Sequence, residues 1–191
     1  MNTPIVSKLR TWARPRIIAG LAVVTLVYGQ ALGRLLRLEA AAEPQAPDML
    51  FFYTPARAYA LLAPWAADRL RFILAHLVAD GLYPLLYGTL LALLLLRVHP
   101  TRPHLWRIPA LAVLTDWLEN LLLSVLLWEY PRRWDALAWL AGLSTALKWS
   151  AVAVSLALIV GGWLFGQWQR RRTGSAAATL AARRDQPRPR S

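Results

Sequence analysis

The chain contains no cysteine, which excludes disulfides, thiolate metal sites and cysteine nucleophiles and removes any cysteine-based reading of compartment. It also lacks a phosphate-binding glycine loop, a nucleophile motif and an internal repeat, so the sequence implies no cofactor. Metal-ligand spacing is missing too. His76 and Asp80 form an H-x-x-x-D pair, a weak metal signature without the further ligands a site needs. Acids are scarce: 10 Asp+Glu stand against 22 Lys+Arg, giving a formal net charge of +12, and all but two of the basic residues are arginine.

What the chain has in excess is apolar side chains. They make up 57% of its 191 residues, and the mean hydropathy is +0.37. A soluble domain is about 45–50% apolar, and here the excess is gathered into runs such as 90–96 and 151–160. A transmembrane helix needs about 20 apolar residues. Four segments meet that length, at about 17–36, 72–96, 105–128 and 136–165, and they predict an all-α, polytopic four-helix membrane bundle. The fourth is long enough to tilt or to extend past the bilayer. The remainder divides into a basic N-terminus at 1–16, a first loop at 37–71 and a basic tail at 166–191. The tail is rich in Ala, Arg and Pro, a composition of disorder.

The positive charge lies mainly at the ends and in one short loop. Lys8, Arg10, Arg14 and Arg16 precede the first span, Arg97, Arg102 and Arg107 separate the second from the third, and Arg170, Arg171 and Arg172 follow the fourth. This placement sets topology and attracts anionic lipid headgroups, rather than nucleic acid. It predicts a bacterial-type inner-membrane protein with both termini cytoplasmic. The long first loop carries four arginines, with Arg34 just before it, but also four acids. Arg34 and Arg37 occupy the place of a cleavage region, so the first span is expected to be retained rather than removed as a signal peptide. Trp12, Trp65, Trp106, Trp128, Trp134, Trp163 and Trp168 fall near the predicted interfaces, whereas Trp117, Trp139 and Trp149 lie deeper and are expected inside. Within the first loop, Glu43, Pro44, Pro47 and Asp48 read as irregular. Thr54-Pro55 then starts a short interfacial helix, with the N-cap threonine followed by proline at the first helical position.

Four ionisable residues interrupt the apolar segments: Asp80, Asp116, Glu119 and Lys148. A charge at the bilayer centre costs roughly 2.5–3.5 kcal/mol on insertion scales, and such residues usually face a bundle interior and pair with one another. With Asn120 they fall within about 6 Å of the midplane or just outside it, counted at 1.5 Å per residue. Helical spacing also gives them compatible faces. His76, Asp80, Pro84 and Tyr87 form one stripe, Asp116, Glu119 and Asn120 a second, and Ser144 and Lys148, with Thr145 beside them, a third. Three carboxyls face one ammonium, so at least one acid must hold a proton or a cation must bind. The cluster therefore reads as a proton-linked polar core of Asp80, Asp116, Glu119, Asn120 and Lys148, with His76, Tyr87, Ser144 and Thr145 as accessory groups. The competing reading is an ion pair that only locks the helices in register. Pro84 is expected to bend its helix and free a carbonyl.

The stretch His-Leu-Val-Ala-Asp-Gly-Leu-Tyr-Pro-Leu-Leu-Tyr at 76–87, Asp-Trp-Leu-Glu-Asn at 116–120 and Leu-Lys-Trp at 147–149 resembles a family of small, uncharacterised bacterial four-helix integral membrane proteins. The resemblance spans roughly 50–165 and implies the fold but no activity. A looser similarity, in topology and buried acids alone, is to the EXPERA module of sterol isomerases and related ligand-binding proteins. Three functions are consistent with these features: a small transporter-like or ligand-binding protein, an intramembrane enzyme acting on a lipid or isoprenoid, and an assembly subunit of a membrane complex. Four helices are few for alternating access, which leaves room for a homodimer.

Overall fold

The computed structural model describes residues 4–39 and 50–184. These residues form seven α-helices and no strand: α1 Pro4–Trp12, α2 Pro15–Glu39, α3 Pro55–Leu62, α4 Arg69–Leu74, α5 Gly81–Val98, α6 Arg107–Glu129 and α7 Asp135–Arg184. A wide, π-helical segment, Ala75–Asp80, makes α4 and α5 one continuous rod. Four stretches are long and apolar enough to cross a membrane: Pro15–Arg34, Arg69–Val98, Pro103–Glu129 and Asp135–Arg172. The first three spans expected from sequence match these stretches to within a few residues. The fourth helix continues to Arg184, so the part of the tail up to that residue, expected to be disordered, is helical. The loop reading of Glu43, Pro44, Pro47 and Asp48 falls outside the described residues, as does 185–191.

The helices pack in chain order, α2 on α5, α5 on α6 and α6 on α7, and α7 also touches α5. α2 is the most peripheral, burying little beyond Ile18, Thr25 and Leu32. At one end of the bundle α1 lies against the rod's terminus. The Arg10 guanidinium donates to the Pro100 carbonyl at 2.9 Å, and Arg97 donates to Ala13 at 3.4 Å. Apart from its basic charge, nothing in this stretch of sequence pointed to a helix.

The other end is closed by α3. Thr54 caps it as expected, its hydroxyl accepting from the Arg57 N–H, and Pro55 stands at the first turn. Pro55, Ala58, Tyr59, Leu61 and Leu62 are buried. The helix docks on α6 and α7, and its Tyr59 hydroxyl receives the backbone N–H of Trp134. The apolar core sits here, built from Tyr53, Tyr59, Leu62 and Phe72 with Leu122, Leu123, Leu126 and Leu127 of α6 and two alanines of α7. Below it the packing turns polar.

The wide turn has a local cause. Pro84 has no N–H to offer the carbonyl four residues back, and its ring crowds that carbonyl. The helix relieves the conflict by widening through Ala75–Asp80 rather than breaking. Two neighbouring carbonyls then find side-chain donors on other helices. The Tyr28 hydroxyl of α2 donates to Ala79, and Trp117 Nε1 of α6 donates to Gly81 at 2.8 Å.

The expectation that three tryptophans pack inside is corrected. Trp117, Trp139 and Trp149 are 39%, 46% and 36% exposed on the lateral surface. Each flanks a polar stripe without belonging to it, because consecutive helical residues are about 100° apart.

At Gly142 of α7 any side chain would overlap the Tyr53 carbonyl, whereas Gly20 of α2 faces open space. Gly142→Ala should therefore lower stability by about 1–3 kcal/mol and expose the 50–62 segment to protease. Gly20→Ala should lower neither stability nor protease resistance, because alanine favours the helix and meets nothing there. Thermal melts in detergent combined with limited proteolysis will read this, and identical behaviour of the two variants would show that Tyr53 is not seated as described.

Candidate functional site

α6 supplies the centre of the polar core. Its residues Asp116, Glu119 and Asn120 fall on the face that also buries Ala112, Thr115, Leu123 and Leu127, so the turns carrying acids are held inward by the turns carrying leucine. α7 contributes Lys148 from the stripe that buries Ala141, Ser144, Thr145, Ala151 and Ser155. The wide turn contributes His76 and Asp80, and α5 contributes Tyr87. Asp80, Asp116, Glu119, Asn120 and Lys148 are all at most 5% exposed.

The Lys148 ammonium lies 2.8 Å from Glu119 Oε2 and 3.2 Å from Asp116 Oδ1. The second oxygen of each acid also has a donor. Tyr87 donates to Asp116 Oδ2 at 2.9 Å, and Tyr53 donates to Glu119 Oε1 at 3.1 Å. All four oxygens of the two carboxylates are thus engaged, and a single ammonium is shared between them. The Trp149 ring flanks this ammonium at 5.9 Å. Such a unit suits a buried position, where every charge needs a partner and every lone pair a donor.

Asp80 joins the core by a different route. Asn120 Nδ2 donates to Asp80 Oδ2 at 2.9 Å. An ionised carboxylate only accepts, which fixes the orientation of the amide and turns its Oδ1 away from Asp80. That oxygen is buried and has no hydrogen-bond partner. Asn120 is also held through its backbone carbonyl, which accepts from Ser124 at 2.7 Å. His76 Nδ1 lies 3.0 Å from the Phe72 carbonyl, and the imidazole stacks on the Phe72 ring at 3.8 Å. A carbonyl can only accept, so Nδ1 carries the hydrogen. Among the described residues no group of three His, Cys, Asp or Glu side chains could hold a metal ion.

Beside this second limb lies a cavity of about 280 Å3 lined by His76, Leu77, Gly81, Trp117 and Asn120. Two of its walls, Leu77 and Trp117, are 42% and 39% exposed on the lateral surface, while His76 and Asn120 are buried. Neither lysine-bound carboxylate lines it. The core therefore divides into a saturated half around Lys148 and a half around Asp80 and Asn120 that adjoins open space.

Every core and accessory residue singled out in the sequence is buried here except Tyr87, which is half-buried, though not all share one network. Ser144 and Thr145 return their hydroxyls to Leu140 and Ala141 on their own helix. Sequence reasoning missed Tyr53, which reaches Glu119 from the segment before α3, and Trp117, whose indole holds the wide turn. For Tyr53 the signal was its place directly before the Thr54-Pro55 cap. For Trp117 it was the adjacent Asp116.

No family model matches the chain, and no curated protein or solved structure matches it significantly.

Because two carboxylates share one ammonium, Lys148→Met leaves both buried without a cation and should destabilise by about 3–5 kcal/mol. The triple change Lys148→Met, Asp116→Leu, Glu119→Leu should recover most of that loss, since an apolar replacement of a buried ionic group is often neutral or better. Unfolding midpoints in detergent will compare the variants. A single variant as stable as the parent would mean that the ion pair is not a structural bond.

Proposed function

We propose that the chain is a multi-pass protein of a bacterial-type inner membrane with both termini in the cytoplasm, and that it binds or moves a small ligand at a proton-linked polar site centred on Asp80 and Asn120. The observation that carries this reading is the asymmetry of the core. The Lys148, Asp116 and Glu119 unit is saturated, whereas the Asp80–Asn120 pair adjoins a cavity and presents a buried acceptor with no partner. A concave pocket with polar groups beside it is the usual form of a small-molecule site, and intramembrane acids commonly serve proton-coupled steps.

The charge count supports the proton link. Three carboxyls and one ammonium leave an excess of negative charge in an apolar surrounding. A proton on Asp80, or a cationic ligand beside it, lowers that excess. His76, near the other end of the wide turn, stands where a proton would pass between Asp80 and the end of the bundle closed by α3.

The saturated Lys148 unit also supports a second reading, in which the charges fasten helices in an assembly subunit and bind nothing. Infrared difference spectra separate the two. The first predicts a protonated-carboxyl band that titrates with pH and disappears in Asp80→Asn. A band that survives in Asp80→Asn but is lost in Glu119→Gln would move the proton into the lysine network and sink the proposed site.

The topology has its own check. Fluorescent-protein fusions at either end should both fluoresce in cells, and a tag inserted at 130–134 should be reachable from the periplasm. A dark fusion at one end would overturn the even number of spans.

A further inference from the structure

We infer that the end of the bundle built from α1 and the turn after α5 is a seat for the phosphodiester headgroup of an anionic phospholipid, formed by two cationic runs that only the fold brings together. The inference rests on the multi-pass reading of the chain and is independent of the polar core.

The first run is Lys8, Arg10, Arg14 and Arg16, and the second is Arg97, Arg102 and Arg107. Bonds in both directions join them into one surface. The Arg10 guanidinium donates to the Pro100 carbonyl at 2.9 Å, and Arg97 donates back to the Ala13 carbonyl at 3.4 Å. The turn is itself held to α7, with His99 Nε2 lying 3.0 Å from the Leu158 carbonyl. A carbonyl only accepts, so that nitrogen donates. α1 packs on α5 and buries Val6, which leaves Lys8 and, one turn on, Trp12 exposed on its outer face.

The charge of this surface is uncompensated. All four cations of the first run and all three of the second are exposed. No acid occurs between residues 4 and 34 or between 81 and 115. Among the described residues none of these cations takes part in an ion pair. Arg10 and Arg97 each commit one N–H to a carbonyl, and a guanidinium has five. Like charges gathered at one end repel, and a bound anion relieves that repulsion. Guanidinium forks match phosphate oxygens two at a time, which selects a phosphate among anions.

Position selects the source of the phosphate. The stretch Pro15–Arg34 begins just after Arg14, Arg69–Val98 ends just after Arg97, and Pro103–Glu129 begins just after Arg102, each apolar enough to cross a membrane. The two runs therefore stand at headgroup level, where a lipid phosphate is always within reach. Trp12 and Trp106 stand at that level too, where tryptophan is enriched. A phosphatidylcholine headgroup brings its own ammonium, which this surface repels. The seat prefers a lipid whose only charge is the phosphate. A general charge bias depends on how many cations the chain carries, whereas a seat depends on both runs being docked together.

The test is native mass spectrometry of the full-length protein in micelles titrated with phosphatidylglycerol or phosphatidylcholine. Phosphatidylglycerol should be held, one per chain, about tenfold tighter than phosphatidylcholine. Arg102→Gln with Arg107→Gln alters two exposed side chains with no described bond, so it should weaken that binding about tenfold at an unchanged melting temperature. Arg171→Gln with Arg172→Gln removes the same charge from α7 and should weaken it less than about threefold. Val6→Asn removes no charge but loosens α1, and should weaken binding about as much as the first pair. Equal retention of the two lipids, equal effects of the two arginine pairs, or a Val6→Asn variant that binds like the parent would each overturn the inference. A short DNA duplex held as tightly as phosphatidylglycerol, and lost in Arg102→Gln with Arg107→Gln, would reassign the surface to nucleic acid. If the terminal fusions report an odd number of spans while phosphatidylglycerol is still held, only the topology fails. If they report the expected spans and no lipid is held, only the seat fails.

Discussion

One ammonium shared by two carboxylates organises this bundle. Lys148 on α7 is within 3.2 Å of both Asp116 and Glu119 on α6, all three nearly without exposure. In such a place an unpartnered charge is costly, and only a narrow range of helix registers lets one lysine reach acids spaced a turn apart. The second oxygens extend that constraint. Through Tyr87 the unit fixes α5, and through Tyr53 it fixes the segment leading into α3. Tyr53 in turn lies so close to α7 that position 142 accepts only glycine. The relative placement of α3, α5, α6 and α7 thus converges on a single cation.

That convergence explains why the polar core is uneven. A unit with every oxygen occupied has nothing left for a ligand, whatever its charges suggest in isolation. Asp80 sits outside it, held by an amide and not by the lysine salt bridge, on a stretch of helix already loosened by Pro84. Rigid and adaptable chemistry are therefore neighbours, with α6 contributing to both through adjacent residues. Glu119 belongs to the closed half and Asn120, its immediate successor, to the open one.

Much of this was legible in the sequence. Long apolar runs gave the four principal helices, and helical spacing gave the inward faces of Asp116, Glu119, Asn120 and Lys148, because the period of a helix is a local property. Thr54-Pro55 announced α3 for the same reason. What escaped depends on contacts between distant segments. Nothing local says that Tyr53 turns down onto Glu119, or that Trp117 points sideways to hold a carbonyl of the next helix. The stripe from His76 to Tyr87 assumed an unbroken α-helical period, and the wide turn interrupts it. The division of the core into two halves was invisible as well, since composition gives the number of charges but not which oxygens are filled.

The wide turn between Ala75 and Asp80 has one more consequence. Its hydrogen bonds close over one more residue than those of an α-helix, so it holds a surplus residue between two helical stretches whose faces stay in phase. Removing one residue here would let the rod close to an ordinary α-helix with Phe72 still turned to the apolar core. Removing one from the α-helical turns on either side would instead swing Phe72 or Tyr87 by about 100°. The segment is therefore the one part of the rod that can absorb a change in length.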